Sequence, residues 1–243
     1  PPRSTLFPYT TLFRSYGRLG ETGWKEWVPV PGDYDGDRKA DLCVWNKNTS
    51  EWLYLRSSDG ILVSTVWGDE EGVKKWIPVP GDYDGDRTTD LCVWNKNTGA
   101  WYGRKSSDLG NPFSIVWKSG GVSQWIPVPG DYDGDLASDL GIWNKSTGEF
   151  HCAKVSDGST IVVKQWRRGG AMEWIPVPGD YDGDGKIDLS VWHKSRGQWY
   201  AIKSSDEGGS YFYKIFGDQG INRWIPSMQL QHVYLCMSAL KQD

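Results

Sequence analysis

PGDYDGDRKADL, residues 31–42, places four aspartates, Asp33, Asp35, Asp37 and Asp41, within nine positions. The stretch returns as PGDYDGDRTTDL from Pro80, PGDYDGDLASDL from Pro129 and PGDYDGDGKIDL from Pro178, each start 49 residues after the last. Two carboxylates ~4 Å apart repel by about 1 kcal/mol in bulk water and about 4 kcal/mol near a protein surface. A loop with four of them needs a cation or protons, or it must splay open. One D-x-D-G-D reads as solvated Asx turns. Four copies at identical spacing point to one device used four times.

Working outward, each loop sits in the same plan. A Trp-Ile/Val-Pro-Val-Pro segment precedes it, led by Trp27, Trp76, Trp125 and Trp174. An apolar run follows: DLCVW from Asp41, DLCVW from Asp90, DLGIW from Asp139 and DLSVW from Asp188. After an NKNTG-like turn comes an aromatic-led run at Trp52, Trp101, Phe150 and Trp199. An SSDG-type turn then leads to a last run ending at Trp67, Trp117, Trp166 and Phe216. Short segments rich in Val, Ile, Trp and Tyr, bounded by turn residues and without helical periodicity, are strands. Four strands per unit at a period in the forties predict an all-β fold, a β-propeller with one blade per repeat. An open β-solenoid or a string of separate modules is the alternative, but a 49-residue module without disulfides buries too little to stand alone.

The repeats are expected at 16–226, with full units at 27–75, 76–124, 125–173 and 174–223 and partial blades at both ends. YGRLGETGWKEW from Tyr16 aligns with WGDEEGVKKW from Trp67, and WIP at Trp224 opens a further unit without an acidic loop. Residues 1–15 and 227–243 match nothing in the repeat; PPRSTLFPYTTLFRS reads as a cloning or sequencing scar. Four units suit a complete small ring or a piece of a larger one, and a piece is the expectation.

Of the 243 residues, 16 are Trp, and Gly and Pro number 30 and 13, a mix that favours short strands and tight turns. The net charge is −4, and the loops hold 16 of the 31 acidic residues. No basic cluster suggests nucleic-acid binding, no apolar run is long enough to span a bilayer, and no signal peptide is visible. Four cysteines do not make a disulfide framework at this length. Cys43 and Cys92 share a repeat position with Gly141 and Ser190, so a small, buried side chain and a free thiol are expected there. The states of Cys152 and Cys236 stay open.

Numbered from its first aspartate, each loop has carboxylates at positions 1, 3, 5 and 9, a glycine at 4 for the tight turn, and a backbone carbonyl at 7. An all-oxygen set without sulfur or imidazole suits a hard cation, Ca²⁺ above Mg²⁺. An EF-hand would need Glu at position 12, where Val44, Val93, Ile142 and Val191 stand, and flanking helices. The motif D-x-D-G-D-x-x-x-D-L inside a four-stranded unit resembles the FG-GAP/VCBS repeat of integrin-α-type propellers, although the FG and GAP tags themselves are absent. That resemblance implies one Ca²⁺ per loop, up to four, in the turn between a blade's first two strands. The ligands it implies are Asp33, Asp35, Asp37, Lys39 and Asp41; Asp82, Asp84, Asp86, Thr88 and Asp90; Asp131, Asp133, Asp135, Ala137 and Asp139; and Asp180, Asp182, Asp184, Lys186 and Asp188, with position 7 acting through its carbonyl. The family often has Gly at position 6. Only Gly185 matches, against Arg38, Arg87 and Leu136, so the fourth loop is expected to bind best.

No catalytic site is expected. His151, His193 and His232 occupy unrelated positions, a carboxylate pair repeated in every unit is not a glycosidase site, and no nucleophile elbow, P-loop or dinucleotide fingerprint occurs. The recurrent Trp residues read as packing between blades rather than sugar platforms. The expected protein is a calcium-binding, non-catalytic binding or adhesion scaffold of a secreted or surface protein, since millimolar extracellular Ca²⁺ would fill sites of modest affinity. A lectin-like module, or an accessory domain of a secreted polysaccharide-degrading enzyme, is the alternative. The partner would be a protein or glycan, with self-association through open sheet edges a further possibility.

Overall fold

A computed structural model describes residues 26–68, 75–109, 111–117, 124–165, 173–206 and 211–215. Apart from 3-10 turns at Ser204–Asp206 and at Glu26, Lys75, Gln124 and Glu173 before the first strands, the regular structure among them is strand. The first blade comprises β1 (Trp27–Pro29), β2 (Leu42–Asn46), β3 (Glu51–Leu55) and β4 (Leu62–Val66). The second comprises β5 (Trp76–Pro78), β6 (Leu91–Asn95), β7 (Ala100–Arg104) and β8 (Phe113–Val116). The third comprises β9 (Trp125–Pro127), β10 (Leu140–Asn144), β11 (Glu149–Ala153) and β12 (Thr160–Gln165), and the fourth β13 (Trp174–Pro176), β14 (Leu189–His193), β15 (Gln198–Ile202) and β16 (Tyr211–Ile215). Each blade is an antiparallel meander in chain order, and the four make a β-propeller. The expected partial blades, and Cys236 and His232, lie outside the described residues. None of the described residues forms a helix long and apolar enough to cross a membrane.

The sequence explains the order of strands. Proline has no N–H for a ladder, so it is confined to sheet edges. Each first strand ends in proline (Pro29, Pro78, Pro127, Pro176) and lies at an edge of its sheet. The second and third strands are joined by a turn in which the amides of Asn48 and Thr49 donate to Asn46 Oδ1, at 2.9 and 3.3 Å. The turn closes on a residue with positive φ: Ser50 (57°), Gly99 (76°), Gly148 (73°) or Gly197 (61°). His193 replaces the asparagine in the fourth blade; it ends β14, is buried, and its Nδ1 lies 3.2 Å from Ser195 Oγ.

The core lies between blades. One cluster joins Val30, Tyr34, Cys43, Trp45 and Trp52 of the first blade to Val93 of the second. Its counterparts join Trp94 and Trp101 to Leu140 and Ile142, and Trp143 and Phe150 to Leu189 and Val191. Trp45, Trp52, Trp94, Trp101, Trp143 and Phe150 are fully buried, as the packing reading requires. Between the first two blades Trp67 stacks on Tyr102 with ring centroids 4.6 Å apart. Leu140 is sealed by the preceding blade, whereas its first-blade equivalent Leu42 is 40% exposed. Cys43, Cys92 and Cys152 are free and buried, which resolves the state of Cys152; burial pushes the Cys43 thiol up to about 12. Ser190 Oγ donates to the Val177 carbonyl from the same repeat position.

Trp94→Ala is expected to cost about 3–5 kcal/mol, because the cavity would open between two blades. Val116→Ala, at a site 63% exposed, is expected to change stability by about 0.5 kcal/mol or less. Urea midpoints of the two variants check this, and similar shifts would refute the inter-blade core.

Candidate metal centres

The acidic loop links the first and second strands of every blade, and its base is pinched by a bridge: Gly32 to Asp41, Gly81 to Asp90, Gly130 to Asp139 and Gly179 to Asp188. Within the first loop Asp33 Oδ1 accepts the amides of Gly36 (2.7 Å) and Asp37 (3.1 Å), and its Oδ2 accepts that of Arg38 (2.7 Å). Asp35 Oδ1 accepts from Asp37 N, and Asp37 Oδ1 from Lys39 N. The other loops repeat the pattern; Asp180, for example, holds the amides of Gly183 and Gly185. These bonds curl the chain so that alternate carboxylates face one centre.

Asp33, Asp35 and Asp37 each place an oxygen within 4.8 Å of the others, as do Asp82, Asp84 and Asp86, and Asp180, Asp182 and Asp184. In the third loop the converging set is Asp131, Asp133 and Asp139. Positions 1, 3 and 5 thus meet in three loops, and 1, 3 and 9 in the other. Elsewhere position 9 sits beneath the loop as a buried anchor. Asp41 Oδ2 accepts the amide of Tyr34 (2.8 Å) and its Oδ1 that of Ser57 (2.6 Å). Asp90 and Asp188 do the same with Tyr83 and Ser106, and with Tyr181 and Ser204. The position-7 residues Lys39, Thr88, Ala137 and Lys186 donate their amides to Asp37, Asp86, Asp135 and Asp184.

Position 6 has positive φ in all four loops: 68° at Arg38, 71° at Arg87, 75° at Leu136 and 89° at Gly185. The non-glycine side chains do not break the loop; they hold it in a left-handed conformation that costs roughly 1–2 kcal/mol. Leu136 is also 62% exposed, so it gains little from packing.

Two supports were not recognised in the sequence. The tyrosine at position 2 is a buried post in the first three blades: Tyr34, Tyr83 and Tyr132 donate their hydroxyls to the carbonyls of Val30, Val79 and Val128 at 2.6–2.7 Å. Its recurrence in all four PGDYDGD copies was the available signal. The second is a pair of serines after the third strand. Ser57 Oγ donates to Asp37 (2.8 Å) and Ser58 Oγ to Asp35 (2.6 Å). Ser106 and Ser107 hold Asp86 and Asp84, and Ser204 and Ser205 hold Asp184 and Asp182.

Neighbouring loops are also joined to one another. The carbonyl of position 1 in one loop accepts the amide of position 8 in the next: Thr89 N to Asp33 O (2.6 Å), Ser138 N to Asp82 O (2.5 Å) and Ile187 N to Asp131 O (2.7 Å). The loops therefore form a hydrogen-bonded chain across the four blades.

The electrostatics follow from these contacts. The Ser58 hydroxyl holds Asp35 below the usual carboxylate range, and Ser205 does the same for Asp182. Burial pushes Asp90 up to about 6. Burial, reinforced by the charges of Asp133, Asp135 and Asp131, pushes Asp139 up to about 7. A carboxyl whose folded pKa exceeds the unfolded value near 4 destabilises the fold as pH rises between the two. In EDTA, stability is therefore expected to fall from pH 4 to about pH 7. The lowered Asp35 and Asp182 act in a separate window, below about pH 4. Melting curves in EDTA across this range test the sign. Leu136→Gly is expected to stabilise by about 1 kcal/mol by relieving the positive φ, and Gly185→Ala to destabilise by a similar amount. Denaturant midpoints decide both.

Three oxygen-bearing carboxylates on a preformed turn, without sulfur or imidazole, fit a hard divalent cation. Residues 33–93, from the first loop into β6, match the family model of the FG-GAP-like repeat. No curated protein matches the sequence. Among solved structures, the chain is similar in fold to an Agrocybe aegerita lectin whose structure describes specific recognition of non-reducing terminal N-acetylglucosamine. The identity is 16% and the TM-score 0.54, over 76% of this chain and 50% of that one. The chain thus spans half the length of that structure. One unit of this β-propeller thus matches the FG-GAP-like repeat model, and the same acidic loop recurs in all four blades.

Proposed function

We propose that the chain is a calcium-stabilised, non-catalytic binding or adhesion scaffold of a secreted or surface protein. The observation that carries this reading is the convergence of three carboxylates in each of four loops. At separations of ~4 Å each carboxylate pair repels by about 4 kcal/mol near a protein surface. A divalent cation converts that repulsion into attraction and ties together the turn, the two strands it joins and the loop of the next blade. Millimolar calcium outside cells would fill sites of modest affinity, which supports the extracellular location. The side chains at hand would act by holding the ion: positions 1, 3 and 5 through carboxylates, position 7 through its carbonyl, and position 9 from below.

Folding and calcium are then linked by mass action, with about 2.7 kcal/mol of added stability per site at a hundred times the Kd. Melting in 5 mM EDTA is expected to fall by more than ~10 °C relative to 2 mM calcium, with magnesium restoring little. An identical melt in both buffers rejects the reading.

Glycan binding is a second reading, supported by the recognition function of the lectin that shares the fold. The buried Trp residues are unavailable for stacking, so the exposed aromatics Tyr181, Phe212 and Tyr213 would have to serve. Binding on a glycan array that Tyr213→Ala abolishes would support it; no binding across the array would reject it.

A further inference from the structure

The third loop keeps the backbone amide contacts of the other loops but differs in the side-chain and downstream contacts to its carboxylates. Val155 stands where Ser57, Ser106 and Ser204 stand in the other blades. The hydroxyl that binds position 5 is therefore lost. The preceding strand pair, β11 and β12, carries a register shift between Cys152 and Ala153, immediately before this turn. The amide that should reach position 9 does not: Asp139 Oδ1 is buried and has no hydrogen-bond partner among the described residues, whereas Asp41, Asp90 and Asp188 each hold a serine amide there. Asp139 instead joins Asp131 and Asp133 in the converging set.

A protein cation fills this altered loop. Lys154 Nζ pairs with Asp133 Oδ2 and lies 4.0 Å from Asp135 Oδ2, so one ammonium bridges positions 3 and 5. At the same strand position in the first blade, Arg56 Nε lies 3.6 Å from Asp35 Oδ2, but Ser57 and Ser58 still hold Asp37 and Asp35. Lys154 thus shares Asp133 with the converging set of this loop and also reaches the position-5 carboxylate, Asp135.

We propose that Lys154 serves the third loop in place of a metal ion, so that the chain takes up three calcium ions of comparable affinity and a fourth only weakly. Lysine stands at the same position in the second and fourth blades (Lys105, Lys203), so Val155 makes the difference: it removes the hydroxyl that holds position 5 in the other loops, and the Lys154 ammonium pairs with the carboxylates in its place. One ammonium offsets a single carboxylate charge and leaves Asp139 buried beside it, so the loop is neutralised less completely than its neighbours. Structurally, this blade would keep its turn when calcium is withdrawn, and the other three would not.

The inference rests on the calcium reading, and one titration separates the two. Calcium binding is measured on the whole chain by isothermal titration calorimetry and by equilibrium dialysis with metal analysis. The wild type is expected to give three ions in the tight class. Lys154→Ala/Val155→Ser is expected to give four, with affinity at the third loop raised about tenfold or more, as ligand charge count dictates. Lys154→Met, a single change at a side chain 38% exposed, is expected to move in the same direction if the double variant folds poorly. Arg56→Ala is expected to leave the count at three. Four equivalent ions in the wild type, or three in both wild type and Lys154 variants, overturn the assignment while leaving calcium binding intact. No calcium bound by any form rejects both.

Discussion

Three carboxylates held within 4.8 Å of one another are the constraint on which the rest of each blade depends. The chain meets it in layers. Backbone amides of the loop cap the inner oxygens, serine hydroxyls from 20 or 23 residues downstream cap the outer ones, and a buried tyrosine holds the turn from below. Protein groups alone bring donors to these oxygens but little positive charge, because most of the donors are neutral. That imbalance leaves the loops able to hold a cation, and in the third loop the ammonium of Lys154 supplies part of the missing charge.

The same loops also organise the architecture. A propeller blade is a small meander with hardly any core of its own, so its large side chains must be covered by the next blade. Here Trp94 and Trp101 depend on Leu140 and Ile142, as Trp143 and Phe150 depend on Leu189 and Val191. The backbone bonds from position 8 of one loop to position 1 of the preceding loop set the same neighbours in register. Ordering a loop therefore orders two blades, and a change in one unit is felt by the unit beside it.

Much of this was legible in the sequence. A period of 49 residues, four apolar runs per period and proline at the end of each first run suffice to give the blades, their strand order and the place of the acidic loop. The small position shared by Cys43, Cys92, Gly141 and Ser190 is buried as its composition implied. Other features were hidden for physical reasons. The serine pair sits in an SSDG turn, whose residues are explained locally by turn propensity, so their role across 20 residues of chain left no separate signal. The bonds between loops are made by backbone and do not select a residue type: Thr89, Ser138 and Ile187 all make them. The exceptional character of the third loop rested on Val155, a single departure in a turn, and on the pairing of Lys154, a residue type shared with Lys105 and Lys203; the meaning of both comes from the carboxylates they face.

The central claim is that the loop carboxylates hold a divalent cation. Its most direct test is a crystal grown in calcium and soaked in a lanthanide, read by anomalous difference density. The account predicts strong peaks coordinated by Asp33, Asp35 and Asp37, by Asp82, Asp84 and Asp86, and by Asp180, Asp182 and Asp184. Density showing these triads bound only by water, serine hydroxyls and backbone amides would contradict it.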